Sequence, residues 1–146
     1  MQDLPHNYTV VAQGNASGSL TAKCENLADI PVAPPSLFGG PGDKWSPEDL
    51  FMASIANCFV LSFRAIARVG KLQWHTIECS SQGELDKVDG TIQFTKVISK
   101  IKLVIPATEN KDNAERLLIK SDEKCLIRNS ISCSTSIECE IVYSDE

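Results

Sequence analysis

The residues of this 146-residue chain best able to do covalent chemistry are its six cysteines, at positions 24, 58, 79, 125, 133 and 139. No two form a Cys-x-x-Cys pair, and only His6 and His75 could join them, so a zinc site of the usual local spacing is not expected. Cys58 is the most informative of the six. Around it Ser54, Asn57 and Ser62 recur at i, i+3 and i+4 spacing within an otherwise apolar run, which lays a small polar stripe along one side of a helix. A thiol on such a stripe has two readings. It is a small buried hydrophobe, the usual fate of a free cysteine, or it is a nucleophile whose thiolate is favoured by its neighbours. Cys125, in Lys124-Cys125-Leu126-Ile127-Arg128, has the same two readings, and the basic residues beside it favour the thiolate. Cys24, Cys79, Cys133 and Cys139 read as core or inert positions, and both histidines as structural or solvated. There is no Gly-x-Ser-x-Gly elbow for serine catalysis. The Gly39-Gly40-Pro41-Gly42 run lacks the Gly-Lys-Ser/Thr ending of a phosphate loop.

The elements that would position these thiols are legible from pattern. Asn7–Gly14 and Ser19–Cys24 read as two short strands around an Asn-Ala-Ser-Gly turn. Residues 30–44 hold four of the seven prolines and three of the eight glycines, which excludes a helix or a central strand. That loop delivers a strong helix start: Ser46 as N-cap, Pro47 at the first helical position, then Glu48 and Asp49 at the positive end of the dipole. The helix is expected to run from Pro47 to Val69 and to stop at Gly70. Its apolar residues cover most of the circumference, so it should be buried all round. At ~1.5 Å per residue it is about 35 Å long, more than a small domain easily wraps, and a second subunit is expected to cover part of it.

Residues 73–85 and 92–105 read as extended strands, residues 108–124 as a second helix, and Ser134–Tyr143 as a last strand. The order ββ-α-ββ-α-β predicts an α+β fold with mainly antiparallel sheet, in one domain spanning residues 1–146. Fourteen Lys and Arg against 19 Asp and Glu give a net charge of −5, so no basic stripe for nucleic acid is expected. The uncharged stretch from Leu50 to Phe63 is too short to span a bilayer, and no signal segment is read at the N-terminus. No membrane partner and a cytoplasmic setting with reduced thiols are expected.

Taken together, Gly39-Gly40, Ser46-Pro47-Glu48-Asp49-Leu50-Phe51 and Ala56-Asn57-Cys58-Phe59, followed by Cys125-Leu126-Ile127-Arg128-Asn129-Ser130, resemble the paired signatures of the OsmC/Ohr family. The separation of the two cysteines and the order of elements fit the same family. The resemblance implies an intertwined homodimer, with mainly antiparallel sheets around two long central helices. It also implies reduction of organic hydroperoxides, and to a lesser degree hydrogen peroxide, in oxidative-stress defence. Carried over, Cys58 is the thiol that attacks peroxide and Cys125 the one that resolves its sulfenic acid to a disulfide. An external dithiol, in the family sometimes a lipoylated protein, would then reduce that disulfide. No metal and no other cofactor is implied.

Glu48 matches an acidic position of the family site. It precedes Cys58 by ten residues, about 15 Å of helix, so it would serve the cysteine pair of the other subunit. Phe38, Phe51, Met52 and Phe59 are the expected substrate-binding residues. The chain departs from the family at one point. Peroxidase members carry an arginine in the first hairpin turn, and here that turn reads Gly14-Asn15-Ala16-Ser17-Gly18, with no arginine before Arg64. Arg128 is the substitute expected to stabilise the thiolate. The departure keeps a second function open: a dimer of this fold that binds a small apolar ligand with little or no peroxidase turnover.

Overall fold

The structure is a computed structural model and describes residues 3–145. Its contacts group into two compact units, one ending at Phe51 and the other beginning at Met52. The first unit carries strands β1 (Val11–Gln13), β2 (Leu20–Lys23) and β3 (Ile30–Val32), in the antiparallel order β1-β2-β3. β3 corrects the expectation of an unbroken loop over residues 30–44. It is a three-residue edge strand, a position where Pro31 is tolerated because the outer side carries only an isolated bridge from Val32 to Trp45. A 3-10 turn, Ser36–Phe38, follows, and Gly39 closes it with a left-handed φ of 86°. Little of this unit is buried: Val32, Ala33 and Ser46 are, while Tyr8, Val10 and Val11 lie open.

Helix α1 spans Pro47–Val69, with the bounds its sequence predicts. Its start is a reciprocal cap. The Asp49 N–H donates to Ser46 Oγ at 3.0 Å, and Asp49 Oδ2 accepts from the Ser46 N–H at 3.1 Å and from Ser46 Oγ at 2.9 Å. The far end stops at the expected residue for a different reason. Lys71 (φ 56°) takes the left-handed conformation, and Gly70 leaves room for Leu117, which would lie 3.0 Å from a Cβ at that position. By length and composition alone α1 could also cross a membrane, which the shorter uncharged stretch did not suggest. Along one of its faces Ile55, Phe59, Phe63 and Ala67, four residues apart, are buried.

In the second unit β4 (Thr76–Val88) and β5 (Thr91–Ile105) form an antiparallel hairpin whose turn residues, Asp89 (φ 50°) and Gly90 (φ 82°), are both left-handed. Helix α2 (Lys111–Lys124) starts three residues later than expected, because Asn110 caps it by accepting from the Asn113 N–H at 3.0 Å. A four-residue helix, α3 (Leu126–Asn129), follows Cys125. Strand β6 (Ser134–Tyr143) then pairs parallel to β5, since α2 carries the chain back across the sheet. One face of β5 places Val97, Ser99, Ile101, Leu103 and Ile105 inward at period two. Of these, Ile101, Leu103 and Ile105 meet Phe59 and Phe63 of α1 and Leu117 and Leu118 of α2 in one core cluster. Phe63 is fully buried and stands edge-on to Trp74, ring centroids 5.4 Å apart.

Candidate functional site

Cys58 and Cys125 meet in the second unit. α1 supplies Cys58, its twelfth residue, and the break between α2 and α3 supplies Cys125. The break matters because Cys125 takes an extended conformation (φ −68°, ψ 115°), closing one helix and opening the next. The first N–H groups of a helix have no partner within it. Those of Leu126 and Ile127 find one in the Cys58 sulfur.

The two thiols differ in acidity. Burial pushes the Cys58 thiol up, but hydrogen bonds from the Ile127 N–H, the Cys125 thiol, the Ser62 hydroxyl and the Leu126 N–H outweigh it. The net effect holds Cys58 below the ordinary thiol value. Cys125 is 1% exposed, and burial, with the neighbouring Cys58, pushes it up to about 11 against the N–H groups of Arg128 and Ile127, which draw it down. A pair so divided has one thiol prepared to ionise and one prepared to donate a proton to it. All six cysteines are free thiols in this structure.

The remaining expected site residues fall in several places. Arg128 points its guanidinium away from a role as lone cation: Nε donates to Thr135 Oγ1 at 3.2 Å, and the far nitrogen lies 3.5 Å from Asp122 Oδ2. Its contribution to the thiol pair is the backbone N–H on Cys125. Phe59 is 2% exposed and packs inside the core cluster. Met52 is half-buried against the inner face of the sheet, where a Cβ at Gly83 would come within 2.8 Å of it. Phe51 is half-buried on α1. Asn57 bonds back to the Ala53 carbonyl of its own helix at 2.8 Å and leaves the polar stripe to Ser62 and Cys58.

Phe38 and Glu48 belong to the first unit, where they line one cavity of about 480 Å³ with Asn15, Ala16 and Leu20 of the hairpin and Pro34 of the loop. The cavity is predominantly apolar, and Glu48 is the charged residue in its lining. Among the described residues no group of three or more His, Cys, Asp or Glu is arranged to hold a metal ion.

Sequence reasoning missed the amides of Leu126 and Ile127 and the side chains of Asp122 and Thr135. The first two are backbone groups, invisible to residue type. The other two become relevant only because the helix breaks at Cys125, for which neither glycine nor proline gave a signal.

Three comparisons place this architecture. Over 140 residues the chain is 22% identical to the uncharacterized protein YmaD of Bacillus subtilis, covering 92% of this chain and 93% of that one. It superposes on an OsmC-like protein of unknown function from Vibrio cholerae with a TM-score of 0.85, at 20% identity, over 93% of this chain and all of the other. An organic hydroperoxide resistance protein OsmC from Legionella pneumophila gives a TM-score of 0.73 at 25% identity, over 96% of this chain and all of the other. The sequence profile of OsmC-like proteins matches residues 40–140, a stretch containing Cys58, Cys125 and the elements from α1 into β6, and the chain belongs to the OsmC-like family.

Proposed function

We propose that the protein is a thiol peroxidase that reduces organic hydroperoxides through Cys58 and Cys125. The observation that carries this reading is the unequal thiol pair, with Cys58 favoured as thiolate and Cys125 held protonated beside it. The Cys58 thiolate attacks the terminal peroxide oxygen and the O–O bond breaks. Cys58 becomes a sulfenic acid, and the alkoxide leaves as an alcohol after taking a proton. The Cys125 sulfur then displaces hydroxide from that sulfenic acid, giving a Cys58–Cys125 disulfide and water. An external dithiol such as a lipoyl group restores both thiols and is itself oxidised to a disulfide.

Two further features enter the scheme through a homodimer. α1 is apolar around most of its circumference, yet only one face is buried within the chain, and Leu61 stays 59% exposed and Val69 80%. The strands of the first unit are likewise left open. A second copy would cover these surfaces, and Glu48 of one subunit would then serve the thiols of the other. A cytoplasmic setting, where reducing dithiols are at hand, suits a disulfide that must be recycled.

The test is turnover of cumene hydroperoxide with dihydrolipoamide as reductant. Cys58→Ser is expected to abolish it and Cys125→Ser to stop it after about one equivalent. Equal turnover by the wild type and Cys58→Ser would overturn the proposal. One observation favours a second reading: the apolar cavity around Phe38 and Glu48 is large enough for a small molecule. Saturable binding of an apolar probe there, with no turnover of peroxide, would support ligand binding instead.

A further inference from the structure

Helix α3 is four residues long, far below the length at which a helix holds itself together. Yet its first two N–H groups must stay aimed at the Cys58 sulfur if they are to favour a thiolate there. Something outside the helix has to fix it. The Cys125 N–H reaches back to the Asp122 carbonyl at 3.3 Å, and the Asn129 side chain to the Glu123 carbonyl at 3.1 Å, so α3 is tied to α2 at both ends. Neither bond ties α3 to the sheet. Arg128 does: its guanidinium spans Asp122 in the last turn of α2 and Thr135, the second residue of β6.

We propose that Arg128 is a positioning residue, whose bridge from Asp122 to Thr135 holds α3 so that the amides of Leu126 and Ile127 face Cys58. The charge on Arg128 is not what Cys58 feels. The guanidinium is opposed by the Asp122 carboxylate 3.5 Å away, and the groups that act on Cys58 are two amides, a thiol and a hydroxyl. The planar fork of arginine is what lets one side chain meet a carboxylate and a hydroxyl at once, and a lysine ammonium on its flexible stem does not reproduce that geometry. Asp122 is half-buried at this junction, so the bridge is better shielded than an exposed ion pair.

This inference rests on the reading of Cys58 as the attacking thiol, but it can be tested without peroxide. The rate at which iodoacetamide alkylates Cys58 is measured against pH in the full-length protein and in Arg128→Lys, Asp122→Asn and Thr135→Val. Backbone hydrogen exchange at Leu126 and Ile127 is followed in the same samples. Loss of the bridge is expected to move the Cys58 midpoint up by roughly half to one pH unit, slowing alkylation near pH 7 about three- to tenfold. The two amides should exchange faster in the same variants.

A guanidinium acting directly on the thiolate gives the opposite pattern. Arg128→Lys would then match the wild type, and Asp122→Asn, by freeing the cation, would lower the midpoint. Either result overturns the proposal, as does an unchanged midpoint in both variants. A midpoint that shifts as expected in a protein that turns over no peroxide would keep the bridge and discard the peroxidase reading.

Discussion

Cys58 and Cys125 share a hydrogen bond, and across it their acidities part: Cys58 lies below the ordinary thiol value and Cys125 near 11. Burial acts in the same direction on both. Amides of α3 draw both down, Ile127 and Leu126 at Cys58 and Arg128 and Ile127 at Cys125; what separates them is that Cys58 also accepts from the Cys125 thiol and the Ser62 hydroxyl, while Cys125 bears the additional cost of a neighbouring thiolate. No lysine or arginine side chain is among the groups that set the two acidities apart.

The first prediction is the order of alkylation. At pH near 7.5, limiting iodoacetamide should modify Cys58 well before Cys125, because only the thiolate reacts and Cys125 is both protonated and 1% exposed. Peptide mapping by mass spectrometry after short exposure reads the order. Cys125 reacting first would contradict the assignment.

Alkaline pH should destabilise the fold. Cys139, half-buried on β6, is raised to about 11, chiefly by burial and then by Glu115, Asp122 and Cys79. Released on unfolding, it returns to an ordinary thiol value near 9.0. Between those values the folded form keeps a proton that the unfolded form gives up, so stability is intact below about pH 9 and falls as pH rises toward 11. Urea midpoints measured across that window should fall less steeply in Cys139→Ser than in the wild type.

Removing the cap of α1 should be felt throughout the second half of the chain. Ser46 is fully buried and exchanges three hydrogen bonds with Asp49. Ser46→Ala is expected to cost about 1 kcal/mol, within the usual range for a lost N-cap. Chemical denaturation followed by far-ultraviolet circular dichroism would register it.

Phe63→Ala addresses the core that holds α1 to the sheet. The ring is completely buried and edge-on to Trp74, so its loss should cost roughly 3–5 kcal/mol through lost burial and a residual cavity. Trp74, no longer shielded on that side, should shift its fluorescence, which reports the local change separately from global unfolding.

Much of this arrangement is legible in the sequence, and what is not has a physical reason. Ser46, Pro47 and Asp49 announce the start of α1, because capping is local chemistry written in neighbouring residue types. β6 is readable for the same reason, as alternation over ten residues. β3 is hidden, since proline density argues against a strand until the strand proves to be at an edge. The parallel pairing of β6 with β5 depends on where α2 leads the chain, which no local pattern encodes. In the site, the two thiols and Ser62 are visible as a polar stripe and a second cysteine. The amides that bond to the thiols are not, because every non-proline residue carries an N–H and only the helix break at Cys125 turns these few toward the pair. Phe59 shows the converse: an aromatic beside the thiol reads as part of a substrate pocket, and the structure spends it on the core.

The central claim, that Cys58 and Cys125 form one redox unit, is tested most directly by disulfide mapping. The reduced protein is treated with one equivalent of an organic hydroperoxide and digested without reductant. The account predicts a single intramolecular Cys58–Cys125 disulfide, the other four thiols free, and recovery of both thiols with dihydrolipoamide. Finding Cys58 and Cys125 still free, or oxidised at random with the rest, would contradict it.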